Sequence, residues 1–116
     1  MNSQVIVVDN DNRATKIKAF LESASVDVFT AETLYELMGK IYKYNIKTLI
    51  FNPHLVWVNV MEFIFELKRK RLEEYKIFFL CENIDKEIKE KAKELDIICL
   101  DYPANMTKLL SYIENS

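Results

Sequence analysis

The feature that most constrains the fold is a fivefold alternation between short apolar runs and amphipathic stretches. Apolar residues at helical spacing follow each run, and the runs cover residues 4–8, 26–30, 48–51, 77–81 and 97–100. Short apolar runs are typical of strands that helices cover on both faces. Strands that alternate with helices form a parallel sheet, so the sequence predicts an α/β protein.

The order of the strands follows from two further constraints. Crossover connections between parallel strands are right-handed, which leaves few arrangements. The run at 26–30 mostly alternates apolar and polar residues, which is typical of an edge strand. The flavodoxin-like order 2-1-3-4-5 places this strand at an edge. We therefore predict one domain over residues 1–116, a (βα)5, doubly wound, five-stranded parallel sheet in this order.

Polar residues follow the first and third predicted strands, where such sheets keep their binding sites. In open α/β sheets, ligands bind outside the carboxyl ends of the strands, at the point where the strand order reverses. Asp9 and Asn10 follow the first strand, and Asn52 follows the third. We expect these three residues to share one crevice, with Cys81 and Tyr102 beside it.

Composition excludes several classes of function. The formal net charge of −2, with acids and bases interspersed, gives no basis for nucleic-acid binding. The single glycine, Gly39, cannot supply the glycine-rich loops that hold dinucleotides and nucleoside triphosphates. No apolar run approaches the ~18 residues of a membrane span, and the first residues lack the pattern of a secretory signal. We therefore expect a cytoplasmic protein without a membrane partner.

The two cysteines, Cys81 and Cys99, both lie inside apolar runs. The simplest interpretation is a pair of reduced thiols packed in the core of a cytosolic protein. A redox pair is the alternative, although the spacing is not CxxC and a disulfide requires close Cα atoms.

The connection after the third strand is unusually apolar. Residues 53–58 read PHLVWV, and the next helix is predicted to begin near Asn59. One interpretation is that Trp57 folds over the crevice and fills it with apolar surface. The other is that Val56, Trp57 and Val58 lie partly exposed as an anchor for a partner, because Trp is favoured at binding hot spots.

With these elements in place, the sequence resembles the CheY-like receiver domain of two-component response regulators. The resemblance covers essentially the whole chain, and the segments that carry it are VIVVDND, DVFTAETLYELM, TLIFNPHLVWVNVMEFIFELK, IFFLCE and CLDYP. They match the first strand with its acidic pair, the second strand and helix, the phosphoacceptor strand and loop, and the last two strands. The resemblance implies a bacterial signal-transduction domain, with a cis peptide bond before Pro103.

The residues that handle phosphate in this family are mostly replaced here. In the family an aspartate attacks a phosphoryl donor, Mg²⁺ neutralises the phosphoryl group and a lysine holds it. By resemblance, Asn52 stands at the acceptor position, and Asp9 and Asn10 stand at the metal-binding positions. Cys81 stands at the position of the switch serine or threonine, and Tyr102 at that of the lysine.

The replacements imply a degenerate phosphoacceptor site. An amide is not a competent phosphoryl acceptor at neutral pH, and one carboxylate, Asp9, should bind Mg²⁺ weakly at most. We therefore expect no catalytic residue, no cofactor and no enzymatic activity. The expected function is that of a pseudo-receiver, which signals as a phosphorylation-independent protein-interaction module.

The resemblance also indicates where a partner would bind. Active receivers commonly bind partners or dimerise through the fourth helix, fifth strand and fifth helix. We therefore expect a protein partner or a homodimer at residues 86–93, Cys99 to Asp101, and 105–112. The alternatives are a divergent receiver that is phosphorylated on Asp9 or Asp11, and a small redox or ligand sensor on the same fold.

Overall fold

The structure is a computed structural model that describes residues 3–55, 57–70, 74–82 and 86–115. Within these ranges one parallel sheet contains five strands, which are β1 (Gln4–Val8), β2 (Asp27–Thr30), β3 (Thr48–Phe51), β4 (Lys76–Cys81) and β5 (Ile98–Asp101). The same ranges contain five helices, which are α1 (Asp11–Ser23), α2 (Leu34–Tyr44), α3 (Val60–Lys70), α4 (Lys86–Glu94) and α5 (Met106–Glu114). The strand order is β2-β1-β3-β4-β5, so the predicted flavodoxin-like fold is confirmed.

Helices cover the sheet on both faces. Side chains alternate in direction along a strand, so Ile6 and Val8 belong to one hydrophobic cluster and Val5 and Val7 to the other. Buried residues of α2, α3 and α4 complete the first cluster, and buried residues of α1 and α5 complete the second. Burial on both faces explains why the central strands are continuous apolar runs.

The alternating strand lies at the edge of the sheet, as its pattern predicts. β2 pairs with β1, with Val5 opposite Val28 and Ile6 opposite Phe29. Its first residue is exposed and the other three are half-buried, which accounts for its more polar sequence.

Side-chain caps fix the starts of three helices. Asn10, Thr33 and Asn59 each accept a hydrogen bond from the backbone N–H three residues later, at 3.0–3.1 Å. The predicted start of α3 after Asn59 is therefore confirmed. The helices in the described ranges have 9 to 13 residues, and none of them is long and apolar enough to cross a membrane.

Candidate functional site

A polar crevice opens at the carboxyl ends of β1, β3 and β4, where the strand order reverses. Its volume is about 460 Å³, and its walls are formed by Asn10, Asn12, Arg13, Asn52, His54 and Glu82. Asp9 is buried and contacts two of these side chains, those of Arg13 and Asn52.

Asp9 is the hub of the hydrogen bonds in the crevice. Its Oδ1 accepts from the backbone N–H of Asn10 at 2.7 Å and from Nδ2 of Asn52 at 3.0 Å. The other end of the Asn52 amide, Oδ1, accepts from the backbone N–H of His54 at 2.9 Å, which closes a tight turn around Pro53. Asn52 is thus a structural tie between β1 and the connection after β3.

Arg13 supplies a positive charge to this network. Its Nε lies 3.1 Å from Oδ2 of Asp9, and the side chains of Arg13 and Asp9 are only 13% and 2% exposed. The Nε–H is not aligned for a hydrogen bond, so this contact is an ion pair without one. The Nη2 of Arg13 donates to the carbonyl of Leu80 at 3.0 Å, and the guanidinium lies 4.3 Å from the ring centre of Tyr102.

Sequence reasoning missed Arg13. The available signal was the spacing of four residues between Asp9 and Arg13, which is the spacing of ion pairs on a helix. Asp9 precedes the helix, however, and the pair forms because the Asn10 cap leads the chain directly from β1 into α1.

The pKa of Asp9 is raised above its usual 3.8. Burial is the largest cause, because it disfavours the charged form. The hydrogen bonds from Asn52 and Asn10 and the charge of Arg13 act in the opposite direction, without overcoming burial. The negative charge of Glu82 adds to the effect of burial, so the crevice favours the protonated form of Asp9 more than water does.

The residues present do not fit a divalent metal ion. Mg²⁺ takes an octahedral set of oxygen ligands, usually one or two carboxylates together with waters and phosphate oxygens. Asn10 uses its Oδ1 as a helix cap, Asn52 turns its NH₂ group toward Asp9, and Arg13 sets a fixed cation against the Asp9 carboxylate. Glu82 is the other carboxylate at the crevice, and it lies on the exposed wall. In the described part of the chain, no three acidic, His or Cys side chains converge on a point that could hold a metal.

Cys81 and Tyr102 lie at the ends of the neighbouring strands β4 and β5. The backbone N–H of Tyr102 donates to the carbonyl of Cys81 at 2.9 Å. Burial, the neighbouring Cys99 and the nearby Asp101 together raise the pKa of the Cys81 thiol to about 11. Burial also raises the pKa of the Cys99 thiol. Both thiols are therefore poor nucleophiles at neutral pH.

The strand register keeps the two cysteines apart. Cys81 pairs with Asp101, and Cys99 pairs with Phe79, so the cysteines are diagonal neighbours two residues out of step. A strand spacing of ~4.8 Å and a rise of ~6.6 Å over two residues place their Cα atoms about 8 Å apart. This separation exceeds the ~7 Å limit for a disulfide.

Trp57 does not cover the crevice, so the interpretation that it fills the vacated site is wrong. It packs partly buried against the core on the side of α2 and α3. There it lines an apolar groove of about 440 Å³ with Leu34, Met38 and Phe63. Val58 also lines this groove but is itself buried, contrary to the expectation of partial exposure. Val56 lies outside the described residues.

The expected partner surface on α4, β5 and α5 is largely polar. The outer side of α4 carries exposed lysines and glutamates, including the ion pair of Glu87 with Lys91 at 3.2 Å. Cys99 is half-buried and Asp101 is exposed. Tyr112 is the large exposed aromatic residue of α5, and its ring packs against Phe78.

The sheet topology and the position of the crevice define the structural class of this chain. The chain is a doubly wound (βα)5 domain whose crevice is built from the segments after β1, β3 and β4. The peptide bond between Tyr102 and Pro103 after β5 is cis, as the resemblance implied.

Comparison with solved structures identifies the fold as that of response-regulator receiver domains. A receiver protein from Pseudomonas putida matches with a TM-score of 0.86 and 19% identity, over 100% of this chain and 98% of that chain. Vibrio cholerae CheY4 matches with a TM-score of 0.82 and 21% identity, over 99% and 98%. The beryllofluoride-activated NtrC4 receiver domain dimer matches with a TM-score of 0.82 and 19% identity, over 97% of each chain. The sequence matches no protein-family model, and no curated protein matches it significantly.

Proposed function

We propose that this chain is an atypical receiver domain of bacterial two-component signalling, which acts as a protein-interaction module without aspartyl phosphorylation. The observation that carries the proposal is the buried ion pair between Asp9 and Arg13. A side chain of the protein already balances the carboxylate that a divalent cation would otherwise need to neutralise. The crevice is therefore complete without metal or phosphate.

The surroundings of the pair support this proposal. Phosphoryl transfer needs a carboxylate nucleophile and cations placed to stabilise the transferred group. Asn52 offers an amide in place of the nucleophile, and the guanidinium of Arg13 already contacts Asp9, Leu80 and Tyr102. A domain of this kind would carry out no phosphoryl transfer of its own.

Two alternatives have less support. Phosphorylation of Asp9 would require a buried carboxylate to leave its ion pair and two hydrogen bonds. A redox function would require a reactive thiolate, whereas the pKa values of the thiols of Cys81 and Cys99 are raised and their register disfavours a disulfide. Asp11 is exposed at the start of α1, and by resemblance it matches neither the acceptor position nor a metal-binding position of the family.

The proposed module would act in the cytoplasm through a protein partner. By resemblance, the surface of α4, β5 and α5 is the first candidate for binding that partner, and it includes Cys99 and Asp101. Its charged outer side suits a polar, reversible contact more than a permanent one.

The test is incubation with acetyl phosphate and Mg²⁺, read by intact mass and peptide mapping. We expect no phosphate adduct, while an active receiver domain treated in the same way shows that the donor is competent. The variant Arg13→Ala should also remain unmodified, because Asn52 is still an amide. A stoichiometric phosphate on Asp9 or Asp11 of the wild-type protein would refute the proposal.

A further inference from the structure

An apolar groove runs between α2 and α3, on the sheet face opposite to α1 and α5. We call it the α2–α3 groove. Its floor and walls include Met38, Trp57 and Phe63, and a smaller depression of about 60 Å³ continues it along Met38 and Phe63 toward Tyr42. The groove is separate from the crevice, and the proposed function does not involve it.

Two large exposed apolar side chains of α2, Leu34 and Tyr42, line the groove and its continuation. Of the six large hydrophobic side chains that are exposed in the described ranges, four belong to α2; the six are Leu34, Tyr35, Tyr42, Tyr44, Phe65 and Tyr112. Contiguous apolar surface with a polar rim marks a site of association, because its burial releases water. The α2–α3 groove is therefore a better candidate for an apolar interface than the charged surface of α4.

The two walls of the groove have equal length. On α2, Leu34, Met38 and Tyr42 follow one another at intervals of four residues. On α3, Glu62, Glu66 and Lys70 do the same. Eight residues of helix span about 12 Å, so each wall presents just over two turns.

The charges on the α3 wall are self-complementary. Glu62 lies at the start of the helix, and Lys70 lies at its end. A two-fold axis that crosses the middle of the groove at right angles to the helices makes the two copies of α3 antiparallel. Glu62 of each copy then faces Lys70 of the other. Glu66 falls near the axis, and its charge is already paired with Arg69 of its own helix at 2.8 Å.

We propose that the α2–α3 groove is the interface of a two-fold homodimer of this chain. The apolar stripes of the two α2 helices pack against each other across the same axis, and the Glu62–Lys70 pairs fix the antiparallel register. This interface is separate from the surface of α4, β5 and α5, so a dimer could still bind another protein there.

Sedimentation equilibrium of the intact chain, over about 1 µM to 1 mM, tests the dimer across the range of weak affinities. We expect a reversible monomer–dimer equilibrium that Leu34→Glu weakens about tenfold or more. Leu34 is 46% exposed at the first position of α2, where a carboxylate suits the helix dipole, so this variant should fold. A chain that stays monomeric at all concentrations would overturn the proposal.

Phe65→Glu is the matched control. Phe65 lies on the same helix as the α3 wall and is 55% exposed, but it does not line the groove. Its substitution by Glu should leave the dimer affinity unchanged. If Phe65→Glu and Leu34→Glu weaken the dimer equally, non-specific hydrophobic association rather than this groove drives dimerisation, and the proposal fails.

A charge exchange tests the antiparallel register. Glu62→Lys and Lys70→Glu should each weaken the dimer several-fold, because each places like charges opposite one another across the axis. The double variant should recover most of the wild-type affinity. Failure of the double variant to recover would exclude this two-fold arrangement.

The sedimentation test of the dimer does not depend on the proposed function. Phosphate incorporation tests whether the crevice is chemically inactive, and sedimentation tests the groove. A monomeric protein that takes up no phosphate would remove the dimer and leave the interaction module in place with a different partner.

Discussion

The crevice and the α2–α3 groove are depressions of nearly equal volume, about 460 and 440 Å³, with opposite chemistry. They lie on either side of one connection, because Asn52 and His54 line the crevice and Trp57 and Val58 line the groove. The crevice has polar walls, and its cation, Arg13, is paired with the buried Asp9. The groove has apolar walls that face solvent.

The contrast indicates which of the two depressions is better suited to bind a partner. A ligand in the crevice must compete with the ion pair of Arg13 and Asp9 and with the Asn52 amide. A ligand in the groove need only displace water from apolar surface, which is favourable. The crevice is thus crossed by internal polar contacts, whereas the groove presents apolar surface that a macromolecule can cover.

The largest effect on stability is expected from replacing Asp9, on which the hydrogen bonds of the crevice converge. Asp9→Ala leaves the guanidinium of Arg13 largely buried without its carboxylate and removes the acceptor of the Asn52 amide. Loss of one partner of a buried pair costs about 3 kcal/mol, so the free energy of unfolding should fall by about that amount. Urea denaturation followed by far-ultraviolet circular dichroism measures it.

The matched control for this substitution is Asp11→Ala. Asp11 is an exposed acid two residues away, in the first turn of α1. Its substitution should change stability by no more than about 1 kcal/mol, through the helix dipole. Similar losses for the two variants would show that Asp9 is not the hub of the crevice.

The next effect concerns the reactivity of Cys81 at the end of β4. Its thiol pKa of about 11 lies well above the ordinary value of 9.0, and only the thiolate reacts. At pH 8 alkylation by iodoacetamide should therefore be about a hundredfold slower in the folded protein than in urea. Peptide mapping over time gives both rates, and the half-buried Cys99 provides an internal comparison. If Cys81 reacts as fast in the folded protein as in urea, the pKa of its thiol is not raised by burial.

Stability should also depend on pH through Asp9. Its pKa is raised in the folded state, so the folded protein binds this proton more tightly than the unfolded chain does. The associated stabilisation is complete below pH 3.8 and is lost as the pH rises through the pKa of the folded state. The stability of the wild type minus that of Asp9→Asn should therefore fall between pH 3 and pH 7. A difference that rises over this range would mean that Arg13 outweighs burial.

Much of the fold was predictable because its signals are local. The apolar runs gave the strands, the alternation at 26–30 indicated the edge, and Asn59 marked the start of α3. The position of Asn52 in the crevice also followed from the strand order, since the carboxyl ends of β1 and β3 must be adjacent.

Two of the features that sequence reasoning missed depend on side-chain direction in irregular segments. Arg13 reaches back over the helix cap to Asp9, and no periodic pattern reports that path. Trp57 lies in a connection between a strand and a helix, where neither a period of two nor one of 3.6 residues fixes which way the ring points. Whether Trp57 covers the crevice or faces away from it is therefore decided by tertiary packing.

The smallest effect tests whether the groove is open in the single chain. Met38 lines the groove and is half-buried, whereas its neighbour Leu37 is fully buried in the core. At a concentration where the chain is monomeric, Met38→Ala should cost about 1 kcal/mol and Leu37→Ala about 3 kcal/mol, because only the second leaves a closed cavity. Chemical denaturation of both variants gives the two losses. Equal losses would mean that the groove is packed shut in solution, and the contrast with the crevice would then be one of polarity alone.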